Sequence, residues 1–345
     1  MYLHRCDPPG SYIAGIGSYL PDRVLTSSTL EERVRDSGVA IQEGLIERVT
    51  GVRERRVAAE QENASDLAAN AARAALAMAG VGARDVDILL FAAASHDVTE
   101  PATANILQAK LGVSRAIAFD IKNACNSFLS ALDVAASYVE SGRASAVLVA
   151  TGEIPSRAID LEISSQRELV AKFAHLTMGD AGGAAVVMRS PHPARGIVAT
   201  GGVTRGEAWH LSTILSGGTM YPRDTSSQRA FLRSRGCELE EYGRTEVPPV
   251  VTAVLRATGW TPESIGVVAV QQHSERIARE ILCKRIGLPQ ESVMLPLRYA
   301  GNAAAANIPL CLTEAARQRL LRESSHVLLV GGSSGFSASA MAVRW

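Results

Sequence analysis

The amino-acid sequence predicts an α/β protein with parallel strands. Four short apolar runs rich in β-branched residues are typical of buried strands, at 86–92, 146–150, 265–270 and 326–330. Alanine-rich stretches of helical character lie between them, at 66–78, 127–140 and 313–322. Strands that alternate with helices and are apolar along their length favour a sheet covered by helices on both faces.

The same order of segments occurs twice along the chain. Residues 86–96 resemble 263–275, because each has an acidic lead-in, an apolar strand and then polar residues around a histidine. Each half continues with a small-residue segment that opens a helix and with another strand. We therefore expect two halves, residues 1–190 and 191–345, joined by a loop over 190–196. Two segments interrupt the pattern and are interpreted as inserts that cap a site, 154–178 and 203–245.

The composition excludes several classes of protein. Basic and acidic residues number 35 each in 345, so binding to nucleic acid or to an anionic membrane through bulk charge is not expected. Aromatic residues, at 5%, are too few for a base-stacking surface. Five scattered cysteines without a CxxC motif argue against a zinc site or a disulfide framework. With no signal peptide and no run of 18 apolar residues, we expect a cytoplasmic protein without a membrane span.

Three polar residues lie where the duplicated pattern places loops and helix starts: Cys125, His273 and Asn302. Cys125 precedes an apolar helical run, and the partial positive charge at the N-terminus of that helix would stabilise a thiolate. Such a thiolate could attack a thioester carbonyl. His273 and Asn302 carry hydrogen-bonding groups for the thioester oxygen or an enolate. The alternatives are a small core cysteine, a satisfied histidine at a strand end and an ordinary cap or turn asparagine.

Five ordered motifs carry a resemblance to a known family. They are an opening formed by GIGSYLPDRVLTSSTLE and TGVRERRVAAEQENASDLA, then DIKNACNSF, MGDAGGAAVV, YAGNAAAANIP and GGSSGFSASAMAVRW. In their content and separation the chain resembles the β-ketoacyl-acyl-carrier-protein synthase III branch of the thiolase-fold condensing enzymes, over almost its whole length. The resemblance implies a thiolase-like fold, with two duplicated α/β halves in a layered α-β-α-β-α sandwich.

The resemblance also implies a Cys-His-Asn active site. Cys125 would take an acyl group from a thioester, and His273 and Asn302 would bind the oxygen of a second thioester. The oxyanion hole would be the backbone N–H groups of Cys125 and Ser334, where Ser334 replaces a glycine of the family. The substrates would be phosphopantetheine thioesters on a carrier protein or coenzyme A, with no metal or redox cofactor.

Departures from the family bear on the substrate. The family's histidine is commonly followed by Gln-Ala-Asn, whereas Ser274, Glu275 and Arg276 follow His273. Leu45 and Val49 replace a tryptophan and an arginine that grip the nucleotide of coenzyme A, which favours acyl carrier protein as partner. Arg276 and Arg279, with Arg229, Arg233 and Arg235, are candidates for binding the carrier or the pantetheine phosphate. A solvated charged face is the alternative.

Glu100, before Pro101, replaces an apolar residue that reaches into the partner subunit in fatty-acid-starting members. An acidic residue here resembles the branch that condenses two acyl chains head to head, in which the carboxylate acts as a base in the neighbouring subunit. This interpretation requires a homodimer. The alternative is a surface loop carboxylate.

The sequence therefore predicts an acyltransferase that forms an acyl-Cys125 thioester and makes a β-keto product by Claisen condensation. Carrier-bound chains of a lipid or polyketide-like pathway are the expected substrates. Two alternatives remain. One is transfer of the same acyl group to an alcohol or amine, with His273 as general base. The other is a non-catalytic scaffold that binds a carrier protein, which the presence of Cys125, His273 and Asn302 together argues against.

Overall fold

A computed structural model describes residues 1–6 and 8–345, with the side chains of all of these except 227 and 228. The strands, in chain order, are β1 (Tyr2–Arg5), β2 (Ser11–Tyr19), β3 (Arg23–Thr26), β4 (Glu54–Val57), β5 (Ile88–Ala92), β6 (Ile117–Ile121), β7 (Ala146–Glu153), β8 (Ala181–Arg189), β9 (Gly196–Thr204), β10 (Ser212–Thr213), β11 (Arg233–Ser234), β12 (Val267–Val270), β13 (His326–Ser333) and β14 (Ser337–Arg344).

The α-helices are α1 (Ser27–Asp36), α2 (Leu45–Thr50), α3 (Ala64–Ala79), α4 (Thr103–Leu111), α5 (Ser127–Glu140), α6 (Gln166–Lys172), α7 (Ser227–Ala230), α8 (Gly236–Thr258), α9 (Glu275–Arg279), α10 (Leu297–Ala300) and α11 (Asn307–Arg317). A π-helical turn, Glu280–Arg285, continues α9. Within the described part of the chain, no helix has the length and apolar character needed to cross a bilayer.

Two five-stranded sheets form the framework. The first has the order β2-β8-β7-β5-β6 and the second the order β1-β9-β14-β13-β12. The first four strands of one sheet correspond to the last four of the other, because β2, β8, β7 and β5 match β9, β14, β13 and β12 in order. This correspondence is the structural form of the repeat seen in the sequence.

The sheets are mixed, which differs from the predicted parallel pairing. Parallel pairing joins β5 to β6, β5 to β7 and β12 to β13. The long strands that follow in each half, β8 and β14, run antiparallel to their predecessors because each returns along the strand before it. β1 pairs with β9 in the second sheet, so residues 2–5 leave the half to which the sequence assigned them. The division near residue 190 stays a prediction.

Five layers result from the packing of helices on these sheets. One apolar core joins α5 and α11 to the inner faces of both sheets. A second core packs α3 and α4 on the outer face of the first sheet, and a third packs α8 and the α9 region on the outer face of the second. The predicted α-β-α-β-α sandwich is therefore confirmed. The helix predicted over 313–322 was placed too late in the chain, since α11 begins at Asn307. Pro309 lies in the first turn of α11, where the backbone N–H groups have no partner within the helix, so a proline is tolerated there.

Small residues let α3 lie directly on the first sheet. A Cβ atom added at Gly152 would lie 1.8 Å from the backbone oxygen of Ala64, and one added at Gly182 would lie 2.1 Å from that of Leu67. Both nearby atoms are backbone oxygens of α3, which cannot move aside as the end of a flexible side chain could. Glycine is therefore required at both positions by the close approach of the helix.

We expect Gly152→Ala to lower the free energy of unfolding by about 3 kcal/mol, because the new methyl group must push α3 from the sheet. Gly218→Ala is the matched control, since a Cβ there meets nothing within 4 Å. It should change stability by less than about 0.5 kcal/mol. Urea unfolding followed by circular dichroism measures both. Equal stabilities for the two variants would contradict this account of the packing.

Candidate active site

Cys125 lies in the short connection between β6 and α5, where both sheets approach. Ala124 before it has a φ of 45°, a left-handed conformation that alanine seldom adopts. Ser127 stabilises the turn, since its Oγ accepts from the Asn123 N–H at 2.8 Å and donates to the Ala124 carbonyl at 2.7 Å. Asn126 donates to Ser337 Oγ of the second sheet at 2.9 Å. The two halves thus jointly fix the nucleophile candidate.

The electrostatics of Cys125 differ from the sequence expectation. Burial, with a smaller contribution from the nearby Glu153 charge, raises the pKa of the Cys125 thiol to about 12. The backbone N–H groups of Cys125 and Ser334 act in the opposite direction and do not outweigh burial. In the protein without substrate, Cys125 is therefore a protonated thiol, whereas the helix-start argument had predicted a stabilised thiolate.

Ser334 lies in the turn between β13 and β14, beside Cys125. Its N–H and that of Cys125 both act on the same sulfur, which is the pair that the resemblance implied for an oxyanion hole. The positive φ of this turn, 100°, belongs to Gly335. A serine at 334 therefore leaves the backbone of the turn unstrained.

The sequence analysis missed Glu153, a buried carboxylate at the end of β7. It accepts hydrogen bonds from the Ala94 and Ser95 N–H groups at 2.8 and 3.0 Å, from Ser95 Oγ at 2.8 Å and from the Ala305 N–H at 3.3 Å. Burial raises the pKa of Glu153, and the hydrogen bonds from these four donors offset only part of this rise. The signal in the sequence was an acidic residue that directly ends an apolar strand.

Asn302 faces the same space as Cys125 but has other neighbours than predicted. Its Oδ1 accepts from Gln271 Nε2 at 3.2 Å, from Asn307 Nδ2 at 2.9 Å and from the Ala304 N–H at 3.1 Å. Asn307 is fully buried. The sequence analysis singled out neither Gln271 nor Asn307.

His273 contacts Glu240 of α8, and among the described residues no hydrogen bond joins it to Asn302. Its Nε2 is 3.4 Å from Glu240 Oε1, and its side chain is 45% exposed. The Glu240 carboxylate is half-buried, and hydrogen bonds from His273 and Arg244 lower its pKa despite burial. His273 still borders the cavity described next.

One cavity of about 760 Å³ brings the candidates together. Cys125, His273, Asn302 and Ser334 all line it, and most of its remaining wall is apolar. Both predicted cap inserts contribute to that wall, through residues such as Ile154, Ile159, Ile214, Leu232 and Leu239. A deep apolar space with a few polar groups at one point is typical of a site for a ligand with an alkyl chain.

The other predicted residues lie outside this cluster. Glu100 is exposed, and the structure of the single chain does not place it on the cavity wall. Arg276 is also exposed, and among the described residues no ion pair to it is found. Arg279 pairs with Glu275 at 2.9 Å, and Arg229 pairs with Asp224. Leu45 and Val49 both belong to α2.

One further cluster was not expected from scattered cysteines. His4, Cys6 and Glu140 bring atoms suited to binding a metal within 4.8 Å of one another. Burial, followed by the charge of Glu140, raises the pKa of the Cys6 thiol to about 12, and its sulfur lies 3.5 Å from Glu140 Oε2. A protonated Cys6 thiol that donates a hydrogen bond to the Glu140 carboxylate accounts for this cluster without a metal.

The raised pKa gives a testable pH dependence. The rate of Cys125 alkylation by iodoacetamide should rise about tenfold per pH unit from pH 7 to 10 without a plateau, because only the thiolate reacts. Glu153→Gln removes the nearby negative charge and should raise this rate at every pH, whereas Glu140→Gln, outside the cavity, should not. Mass spectrometry of the Cys125 peptide gives the rates. A plateau below pH 8 would show that Cys125 is a thiolate at rest.

Comparison with known proteins agrees with this geometry. Residues 119–206 match the family model of 3-oxoacyl-[acyl-carrier-protein (ACP)] synthase III, and residues 255–345 match its C-terminal model. The β-ketoacyl-[acyl-carrier-protein] synthase III of Rhodospirillum centenum is 36% identical over 98% of this chain and 100% of its own length. That of a Roseiflexus species is 34% identical over 96% and 98%.

Solved structures of condensing enzymes are similar to this chain over almost its whole length. The 3-oxoacyl-[acyl-carrier-protein] synthase III of Aquifex aeolicus superposes with a TM-score of 0.85 at 30% identity, over 97% of this chain and all of that one. OleA of Xanthomonas campestris, solved with lauric acid and lauroyl-CoA, superposes with a TM-score of 0.86 at 27% identity, over 97% and 99%. The chain belongs to the 3-oxoacyl-acyl-carrier-protein synthase III family and is a condensing acyltransferase of the thiolase fold.

Proposed function

We propose that this chain forms an acyl thioester on Cys125 and condenses it with a second acyl thioester to a β-keto product. One observation carries the proposal. The Cys125 sulfur, with the N–H groups of Cys125 and Ser334 beside it, shares a largely apolar cavity of about 760 Å³ with the amide of Asn302. A nucleophile, an oxyanion hole and a second polar anchor thus border one space suited to acyl chains.

In the first step, the Cys125 sulfur attacks the carbonyl carbon of the donor thioester. The N–H groups of Cys125 and Ser334 stabilise the negative oxygen that develops. The bond between the acyl carbon and the donor sulfur breaks, and the proton lost from Cys125 passes to the departing pantetheine thiolate, which leaves as the thiol. Because the resting thiol is protonated, its proton has to leave before or during the attack.

In the second step, a carbanion of the second thioester attacks the acyl-enzyme. A carbon–carbon bond forms, the bond from the acyl carbon to Cys125 breaks, and the released thiolate takes up a proton. Asn302 binds the thioester oxygen as negative charge develops on it, with Nδ2 as donor. The carbanion arises either by loss of CO₂ from a carboxylated acyl group or by removal of an α-proton. The second route needs a base, and Glu100 of a second copy is our candidate in a homodimer.

The apolar cavity wall and the lauroyl-CoA-bound OleA relative support medium or long acyl chains as substrates. We propose acyl carrier protein as the partner, because Leu45 and Val49 offer neither a ring nor a charge to a nucleotide. Exposed Arg276 and the nearby Arg279 are the candidates for contact with the acidic carrier. The scheme uses no metal or redox cofactor, and we propose the cytoplasm as its location and lipid or polyketide-like synthesis as its pathway.

One observation favours a second candidate function, acyl transfer to an alcohol or amine. His273 borders the cavity with its ring 3.4 Å from Glu240, an arrangement that suits a general base. The mass of the product separates the two reactions, because ester or amide formation joins no new carbon to the acyl carbon. The remaining alternative, a non-catalytic scaffold, gives no acyl-enzyme at all.

The acylation step is tested by intact-protein mass. The wild-type chain, mixed with acetyl, octanoyl or lauroyl thioesters of acyl carrier protein or coenzyme A, should gain the mass of one acyl group. Cys125→Ala should gain none, whereas Cys283→Ala is the matched control and should react as the wild type. Absence of a mass gain with every donor would favour the scaffold.

The base is tested separately. Glu100→Ala should leave acylation of Cys125 intact and lower product formation about 100-fold if α-proton removal is the route, because that is the usual effect of a general base. Glu60→Ala replaces another exposed glutamate and serves as control. Normal turnover of Glu100→Ala would identify Glu100 as surface charge and favour decarboxylation.

A further inference from the structure

We propose that Gln271, and not His273, acts beside Asn302 on the second thioester, so that two neutral side-chain amides hold its oxygen. This inference rests on the proposed function and deepens it. It assigns the second donor of the condensation step to a residue that the sequence analysis did not single out.

The first step of the argument is the orientation of the Asn302 amide. The Ala304 N–H can only donate, and it points at Asn302 Oδ1 from 3.1 Å. That atom is therefore the oxygen, which settles the usual ambiguity of an asparagine amide. Gln271 Nε2 and Asn307 Nδ2 also donate to it, so Asn302 Oδ1 has three donors.

The second step fixes Asn307 in the same way. Its Oδ1 accepts from the Ala303 N–H at 3.2 Å, and its Nδ2 donates to the Gln272 carbonyl at 3.1 Å. Both partners are backbone groups. Gln271 Oε1 lies 2.9 Å from Asn307 Nδ2, which shares its two hydrogens among this oxygen, Asn302 Oδ1 and the Gln272 carbonyl. The other end of the Gln271 amide is therefore the N–H group that faces Asn302 Oδ1. The backbone therefore determines the orientation of all three amides.

The third step concerns the atoms that remain free. Among the described residues, no hydrogen-bond partner of Asn302 Nδ2 is found, although Asn302 lines the cavity. The Gln271 amide nitrogen has two hydrogens and uses one on Asn302 Oδ1. Gln271 also lines the cavity. Two neighbouring N–H donors are thus available to one substrate oxygen.

The position of His273 agrees with this assignment. Its ring bonds to Glu240 on α8, whereas Asn302 has three other partners. The family's His-Gln-Ala-Asn sequence can also be aligned so that it begins at Gln271. Its glutamine then matches Gln272, which is buried. In that register the family's histidine becomes Gln271, and His273 falls on the alanine.

A chemical consequence separates the two residues. A side-chain amide neither gains nor loses a proton near neutral pH, whereas a free imidazole in water does so with a pKa of about 6.5. The Gln271–Asn302 pair can therefore stabilise an enolate oxygen but cannot remove the α-proton. The carbanion must come from loss of CO₂ or from a base elsewhere in the site.

The test uses the full-length chain in single-turnover reactions, with acylation followed by intact mass and condensation followed by product mass. Lauroyl thioesters acylate Cys125, and malonyl-carrier protein or more lauroyl thioester is then added. Gln271→Ala should acylate at a rate within about threefold of wild type and condense about 100-fold more slowly, because it loses a donor used only on the second thioester. Gln271→Glu, of the same shape, should show the same split if the alanine variant folds poorly.

His273→Ala is the competing arm. Its loss of condensation should be at least about tenfold smaller than that of Gln271→Ala. A large loss in His273→Ala with normal condensation in both Gln271 variants would overturn the proposal and leave the proposed function standing. A wild-type chain that is never acylated would overturn both.

The pH profile of the second step excludes a merely structural role. Starting from pre-acylated protein removes the titration of Cys125, so wild-type condensation should vary less than about twofold between pH 6 and 8. Gln271→His should introduce a pH dependence of the condensation rate centred at about pH 6.5. A wild-type profile that already titrates in this range, and that becomes flat in His273→Ala, would contradict the assignment.

Discussion

The buried layer shared by the two sheets is the constraint on which the rest of the structure depends. Helices α5 and α11 pack between the inner faces of both sheets, so apolar residues predominate on their buried faces. Each helix starts at the same edge of its sheet because the halves are duplicated. Cys125 precedes the start of α5, and Asn302 precedes that of α11. The candidate active site is therefore a consequence of the fold's repeat, because two equivalent connections meet at one cavity.

Meeting in the interior has an electrostatic cost, because polar groups at these helix starts lose water. The protein offsets part of this cost with hydrogen bonds to the buried groups. Glu153 has four donors, and one of them, the Ala305 N–H, belongs to the connection that follows Asn302. Asn307 uses both ends of its amide on backbone groups. The same bonds that satisfy buried atoms also fix the side-chain amides of Gln271 and Asn302, both of which line the cavity, so stability and the proposed function use one network.

Much of this arrangement could be predicted from the sequence. The strands at 86–92 and 146–150, the helix at 127–140 and the positions of Cys125 and Asn302 follow from periodicity, small-residue segments and motifs. The neighbour of Asn302 could not be predicted in the same way. Gln271, Gln272 and His273 are consecutive polar residues after β12, and the side chain that faces Asn302 depends on how the chain leaves the strand.

The pKa of Cys125 shows a second limit of sequence reasoning. A helix start predicts a lowered thiol pKa, but the effect of a helix dipole falls off within one turn, and desolvation acts on the sulfur directly. Here burial outweighs the N–H groups of Cys125 and Ser334 and raises the pKa to about 12. The sign depends on how much water the finished fold leaves around the sulfur, which no local pattern encodes.

These two features lead to one view of the chemistry. The Cys125 thiol and the two amides are themselves uncharged before a thioester enters, and the nearest charge is the hydrogen-bonded Glu153 carboxylate. In the proposed reaction, negative charge develops on the substrate's oxygens, first beside the N–H groups of Cys125 and Ser334 and then beside the free N–H groups of the amides. Such fixed donors need no reorganisation as the charge forms, and they act more strongly in an apolar cavity than in water. An apolar wall that binds acyl chains therefore also strengthens the hydrogen bonds that stabilise the reacting oxygens.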